Sequence, residues 1–249
     1  DAFDPTAVQL GKEPAKIDPR TLRLADYIDW SALPAYPATF KDSDKLSDWG
    51  MLQNDRYGIC VMSAELHQEK LWAKLSGTAL TVDENAMVQQ YLALSHGDNG
   101  LVILDYLRWR RKNPVAGARR MLGFAAVNWR DQAELSVATS MFRGVLRGIL
   151  LPRTAQSQSA PNRIWDTVRL SGDGAPGSWG GHLTLETDYD PSRVAEITWG
   201  YVQPATRQFM ANYCDECYVV VPNYAIPGFD SAKFVAALKE IDPNADFDP

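Results

Sequence analysis

The stretch Asn54-Asp55-Arg56-Tyr57-Gly58-Ile59-Cys60-Val61-Met62-Ser63-Ala64-Glu65-Leu66 passes from turn-forming residues straight into a helical pattern, with a cysteine at the junction. The spacing predicts a helix from about Cys60 to Leu75, stopped by Ser76-Gly77. The first N–H groups of a helix are unpaired, and its dipole favours thiolate over thiol at that end. Asn54 places an amide six residues before the thiol, and His182 follows 122 residues later in Trp179-Gly180-Gly181-His182. A thiol nucleophile needs a base for its proton and donors for the oxyanion formed on attack. Cys60, His182 and Asn54 are the three residue types required.

The other candidates are weaker. His67 sits on the same predicted helix, seven residues on, ~10 Å away by the helical rise and too far for direct proton exchange. His96, beside Gly97, reads as a surface residue. A lone cysteine on a helix is most often a core residue, so position alone does not make Cys60 catalytic. Cys214-x-x-Cys217 reads first as two buried thiols, with a strained disulfide or half a metal site as alternatives. No second Cys/His pair at ligand spacing accompanies it, so neither metal nor cofactor is expected.

At 249 residues and 45% hydrophobic, the chain is large enough for one long domain or two lobes. A net charge of −6 argues against a nucleic-acid binder held by phosphate contacts. No apolar run reaches the ~18 residues that a membrane span needs. Three cysteines cannot build a disulfide framework, which favours a soluble, cytoplasmic or virion-associated setting over a disulfide-rich secreted one. Arg108 to Lys112 reads as a solvated helix end complementing the dipole; Arg119-Arg120 forms a second basic cluster.

Residues 1 to about 50 are rich in Pro and Asp and read as an extended arm over a body spanning 51–249. Leu22, Leu24, Ala25, Tyr27 and Ile28 make one short amphipathic stretch, and Pro34, Pro37 and Asp42 to Asp44 suggest a surface path. Thr81 to Glu84 carries a capping-box signature for the next helix. Asp98 or Asn99 is the expected cap of a helix from Gly100 to Arg111, stopped by Asn113-Pro114. Strands are predicted at Met121 to Val127 and Val145 to Leu151, with a helix from Asp131 to Phe142 between them. Residues 152–181 read as a long loop. Then His182 to Tyr189 and Val194 to Trp199 alternate like strands around Asp190-Pro191-Ser192. A short helix at Thr206 to Tyr213, a strand at Tyr218 to Val221 and a helix from Asp230 to about Ile241 complete the order. Helices first and strands later give an α+β layout: a helical lobe, about 51–118, on an antiparallel sheet lobe, about 119–241, with a cleft between.

This ordered set resembles the papain-like cysteine peptidases. Their pattern is a Gln, five residues, then the Cys that opens a long helix; Asn54 to Cys60 has that spacing with Asn for Gln. Asp98-Asn99-Gly100 is similar to their Asn-Gly-Gly turn, with Leu101 in place of the second glycine. His182 opens a strand as theirs does, and Ile197-Thr198-Trp199-Gly200 matches the last two residues of their Asn-Ser-Trp-Gly run. The resemblance covers about residues 50–221. It implies a two-lobe fold with Cys60 as nucleophile, His182 as base and Asn54 as oxyanion donor. It further implies Thr198 and Trp199 orienting and shielding the imidazole, and Asn99, Gly100 and Gly181 lining a substrate groove. The departures are specific. Ile197 stands where the orienting Asn belongs, Val61-Met62 replaces the usual Trp after the Cys, and the family's disulfides cannot be built. The arm is longer than a mature papain N-terminus and shorter than the usual inhibitory pro-region. Uncharacterised bacterial and phage-encoded proteins with Asn-Asp-x-x-Gly-x-Cys and Gly-Gly-His are also similar.

Two functions follow as expectations. One is a hydrolase cleaving peptide or amide bonds in a peptide or protein substrate through a Cys60–His182 dyad, with a depressed Cys60 pKa. The other is an inactive papain-fold binding or assembly protein, for instance a phage virion component, gripping a protein partner through residues 1–50. A thiol-based transferase on the same scaffold is a third option.

Overall fold

The computed structural model describes residues 3–31, 33, 35–118 and 121–242. Pro34 and the Arg119-Arg120 cluster lie outside the described residues. In chain order the elements are β1 (Phe40–Lys41), α1 (Cys60–Leu75), α2 (Glu84–Leu94), α3 (Ile103–Lys112), β2 (Gly123–Ala126), α4 (Gln132–Phe142) and β3 (Val145–Leu151). They continue with β4 (Gly180–Tyr189), β5 (Arg193–Thr198), β6 (Tyr201–Thr206), α5 (Arg207–Tyr213), β7 (Cys214–Val221) and α6 (Ser231–Ile241). This is the α+β arrangement expected, helices first and an antiparallel sheet after.

The sheet runs β2-β7-β3-β4-β5-β6, with β1 added beside the far end of β4. Its two faces separate by the period of two that a strand imposes. On β7, Tyr218 and Val220 face a core shared with α1, where Leu146, Leu183, Leu185 and Ile197 also lie. Cys217, Val219 and Val221 face a second core with Leu135 and Phe142 of α4 and Phe234 and Leu238 of α6. Helix α1 is buried through its first turns, including Val61, Met62 and Leu66, because the lobes close on it from both sides.

Several local expectations need correction. Helix α2 is capped by Asp83, whose carboxylate accepts from Ala86 N–H, so the capping signature is displaced two residues from Thr81. Helix α3 begins at Ile103 with no side-chain cap. Asp98 instead accepts from Gly58 N–H at 2.9 Å and from the Tyr91 hydroxyl at 2.5 Å. The basic end of α3 is ion-paired rather than solvated. Arg110 is fully buried against Glu65 and Glu69, Arg108 meets Asp18, and Arg111 and Lys112 meet Asp242. Strand β7 starts at Cys214, four residues before the alternation suggested. Strand β6 was not anticipated because Pro204 lies inside it; it is the outer strand, where proline is tolerated. The long loop is pinned by fully buried Trp165, whose backbone bridges to Ala205.

The arm leaves the surface at several points. Leu24, Tyr27 and Ile28 enter the second core beside Phe229 and Phe234. Asp42 and Ser43, expected on a surface path, are buried; the Asp188 carboxylate accepts both of their backbone N–H groups, at 2.9 and 2.8 Å. No helix of the described residues is long and apolar enough to cross a membrane.

Candidate active site

Cys60 is the first residue of α1, and no side chain caps that helix. Among its leading N–H groups, those of Met62 and Ser63 are met by the backbone, both donating to Ile59 O at 3.0 and 3.1 Å. The backbone N–H groups of Leu183, Gly11 and Val61 favour the thiolate form of Cys60, against the burial that disfavours it. Leu183 is the residue after His182 on β4, so thiol and imidazole strand meet across the interface between the lobes.

His182 is fully buried, and its Nε2 lies 2.6 Å from the Thr198 hydroxyl. Nδ1 is buried and has no hydrogen-bond partner, which leaves one ring nitrogen uncommitted. Thr198 supplies a polar contact where Ile197, packed in the core, supplies none. Trp199 stacks on the imidazole, with ring centroids 4.5 Å apart and planes 16° from parallel. The stack depends on a tight turn: Thr198 pairs with Tyr201, and the two residues between them, Trp199 and Gly200, have φ of 47° and 75°. Two positive φ values fit the turn type that joins adjacent strands in two residues. That turn folds the indole back over the ring.

Asn54 is buried, and its side-chain oxygen has no partner. Asn99 is not brought to the groove by its side chain. Its amide nitrogen is spent on the carbonyls of Ser95 and His96, at 3.0 and 2.9 Å. His67 Nε2 donates to Gly50 O at 2.9 Å, and the ring lies edge-on to Trp49; burial holds its pKa down at about 4. His96 is exposed. Cys214 and Cys217 are buried free thiols, and burial pushes Cys214 up to about 11.

The chain's own arm runs between Gly181 and Leu101, where the resemblance places a substrate groove. Lys12 N–H donates to Gly181 O at 3.0 Å; Leu101 N–H donates to Gly11 O at 2.8 Å; Glu13 N–H donates to Leu101 O at 3.0 Å. The arm thus runs parallel to Leu101 while touching the residue before His182. The fit needs glycines: a Cβ on Gly11 would lie 1.6 Å from Gly58 O, and one on Gly181 would lie 2.2 Å from Lys12 O. Gly100 and Gly181, expected to line a groove, both lie against this segment. The Gly11 carbonyl is held by the Leu101 N–H.

Covered in this way, the pair is neutral. Burial pushes the Cys60 thiol above its ordinary value, and the hydrogen bonds and the Lys12 charge pull it back only in part. Burial holds His182 down at about 3. The depressed thiol expected from the helix start is therefore not found in the arm-covered state, because desolvation outweighs the dipole.

Sequence reasoning missed Gly11, Lys12 and Asp215. The only signal was Leu101 at the second glycine of the groove turn and an acidic pair, Asp215-Glu216, inside a strand-forming run.

No protein-family model matches the chain, and no curated protein matches it. Solved structures do. A cysteine protease from Xylella fastidiosa, xylellain, is similar at a TM-score of 0.70 and 13% identity, covering 88% of this chain and 97% of that one. Procathepsin B S9 of Trypanosoma congolense gives 0.59 at 9% identity, covering 90% and 89%. The proform of the ragweed pollen cysteine protease Amb a 11 gives 0.57 at 13%, covering 82% and 71%. At these identities the likeness is one of fold, and the fold of this chain is that of the papain-like cysteine proteases.

Proposed function

We propose that the chain is a cysteine hydrolase of peptide or amide bonds, held in a self-blocked state by its arm. The observation that carries this reading is the arm backbone at residues 11–13, tied by main-chain hydrogen bonds to Gly181 on one side and Leu101 on the other, against the Gly58 turn that precedes Cys60. A segment held there by main-chain bonds occupies the place a peptide substrate would take.

With the arm displaced, water returns to the site, the thiol pKa falls and the imidazole pKa rises. His182 then accepts the Cys60 proton at Nδ1, the nitrogen left uncommitted while Thr198 holds Nε2. The thiolate attacks the substrate carbonyl carbon, and its oxygen takes the negative charge. The Cys60 N–H and the Asn54 amide would hold that oxyanion. The imidazolium returns the proton to the leaving amine, an acyl-enzyme remains, and water, deprotonated by His182, releases the acid and restores the thiol. Trp199 keeps bulk water off the ring.

Blocking, rather than gripping a neighbouring subunit, is favoured by the arm's contacts with its own groove. The test is alkylation of the Gly11→Ala chain by iodoacetamide at pH 6. Cys60 should react well ahead of Cys214 and Cys217, and His182→Ala should remove that selectivity. Equal labelling of the three thiols, or silence at Cys60 once the arm is displaced, leaves the inactive binding protein as the better account.

A further inference from the structure

The side chain of Lys12 enters a pocket in the wall of the groove and is fully buried there. Its Nζ lies 2.9 Å from Asp215 Oδ2, 3.0 Å from Glu216 Oε1 and 3.3 Å from Glu13 O. The pocket exists because of two local features. Gly148 on β3 leaves room: a Cβ there would lie 2.6 Å from both Lys12 Cε and Glu216 Cγ. On β7, Glu216 pairs with Gly148 but Cys214 pairs with Ile149, so Asp215 is the extra residue of a bulge. Bulges re-aim side chains beside active sites, and this one turns a carboxylate toward the groove.

Lysine does not use all that the pocket offers. Asp215 Oδ1 is buried with no hydrogen-bond partner, and Glu216 Oε1 is close to the ammonium but outside hydrogen-bond geometry. Glu216 is itself 7% exposed. A buried carboxylate and a half-buried one facing a single point charge fit a basic side chain, and the spare acceptors fit the forked donors of a guanidinium.

We propose that this pocket selects a lysine or arginine side chain of the substrate, and that Lys12 is the arm's imitation of it. The proposal rests on the hydrolase reading above. It makes Asp215 and Glu216 specificity-determining residues of that site, and the arm competes with substrate for one charged socket.

The test uses the full chain carrying Gly11→Ala, treated with peptidyl acyloxymethyl ketones that alkylate an active thiol. Lysine, arginine, norleucine or glutamate is placed in turn at the first, second or third residue from the reactive carbon. At one position the basic probes should label Cys60 at least ~10-fold faster than norleucine, with glutamate slowest. Asp215→Asn with Glu216→Gln should erase the preference while norleucine labelling persists. Norleucine equal to lysine at every position overturns the pocket and leaves the hydrolase standing. If no probe labels Cys60, the hydrolase reading fails, and amide hydrogen exchange on the chain with Gly11 restored still decides the pocket. There Lys12→Arg should keep the Lys12 and Leu101 amides protected and Lys12→Met should lose ~10-fold or more; protection kept by methionine overturns it.

Discussion

Residues 9–13 and residues 22–43 of the same arm lie against the body in different ways. The first segment holds the groove with main-chain hydrogen bonds and one charged side chain. The second contributes apolar side chains to a core and a short strand to the sheet. Main-chain bonds across a groove exchange readily for those of a peptide or of water, whereas buried Leu24 and Tyr27 have no equivalent in solvent. Release of the groove and unfolding of the arm are therefore separable events.

The strongest way to break that separation is Gly11→Ala. The added methyl has no space beside Gly58 O, so residues 9–13 should leave the groove while 22–43 stay in place. Limited proteolysis should cut the first segment ~100-fold faster than in the natural chain, consistent with losing three net hydrogen bonds and an ion pair. If both segments become labile together, the arm is one cooperative unit and the comparison fails.

Leu24→Ala should do the opposite. Leu24 is fully buried, and deleting its methyl groups should cost about 2–5 kcal/mol, a fall in Tm of roughly 5–15 °C for a chain of this size. Iodoacetamide labelling of Cys60 in the still-folded protein should stay slow. Fast labelling would mean that the second segment holds the first in place.

The smallest effect is at Asp42. Burial raises its carboxyl to about 6, against the opposing pull of Arg143. The folded state therefore holds this proton more tightly than the unfolded chain. The cost is absent below the unfolded pKa of about 3.8, grows as pH rises toward 6 and is complete above it. Asp42→Asn should gain on the natural chain between pH 4 and pH 7, by about 2–5 °C in Tm. A difference that does not change with pH would remove ionisation of Asp42 from the account.

The same division explains what the sequence disclosed. Helix α1, β3, the His182 hairpin and α6 were legible because each has a strong period and a definite stop or cap. Thr198 and Trp199 were assigned to His182 by the resemblance, and the hairpin does bring them against its ring. Gly11 and Lys12 were not legible: an extended segment has no periodicity, and what it binds is decided by tertiary contacts with Gly181 and Leu101. The raised pKa of Cys60 was hidden for a similar reason, since burial in a core drawn from distant segments leaves no mark near the thiol. Asp98 failed as a cap because Gly58, 40 residues away, and Tyr91, seven residues away, claim its carboxylate.

The turn at Trp199-Gly200 has a consequence for the order in which the site forms. His182, Thr198 and Trp199 fall within 18 residues on consecutive antiparallel strands, so their contacts close with little loop entropy. The thiol must cross 122 residues to reach them. On the hydrolase reading proposed above, the contacts that Thr198 and Trp199 make with the imidazole can form within their own hairpin before Cys60 docks beside it.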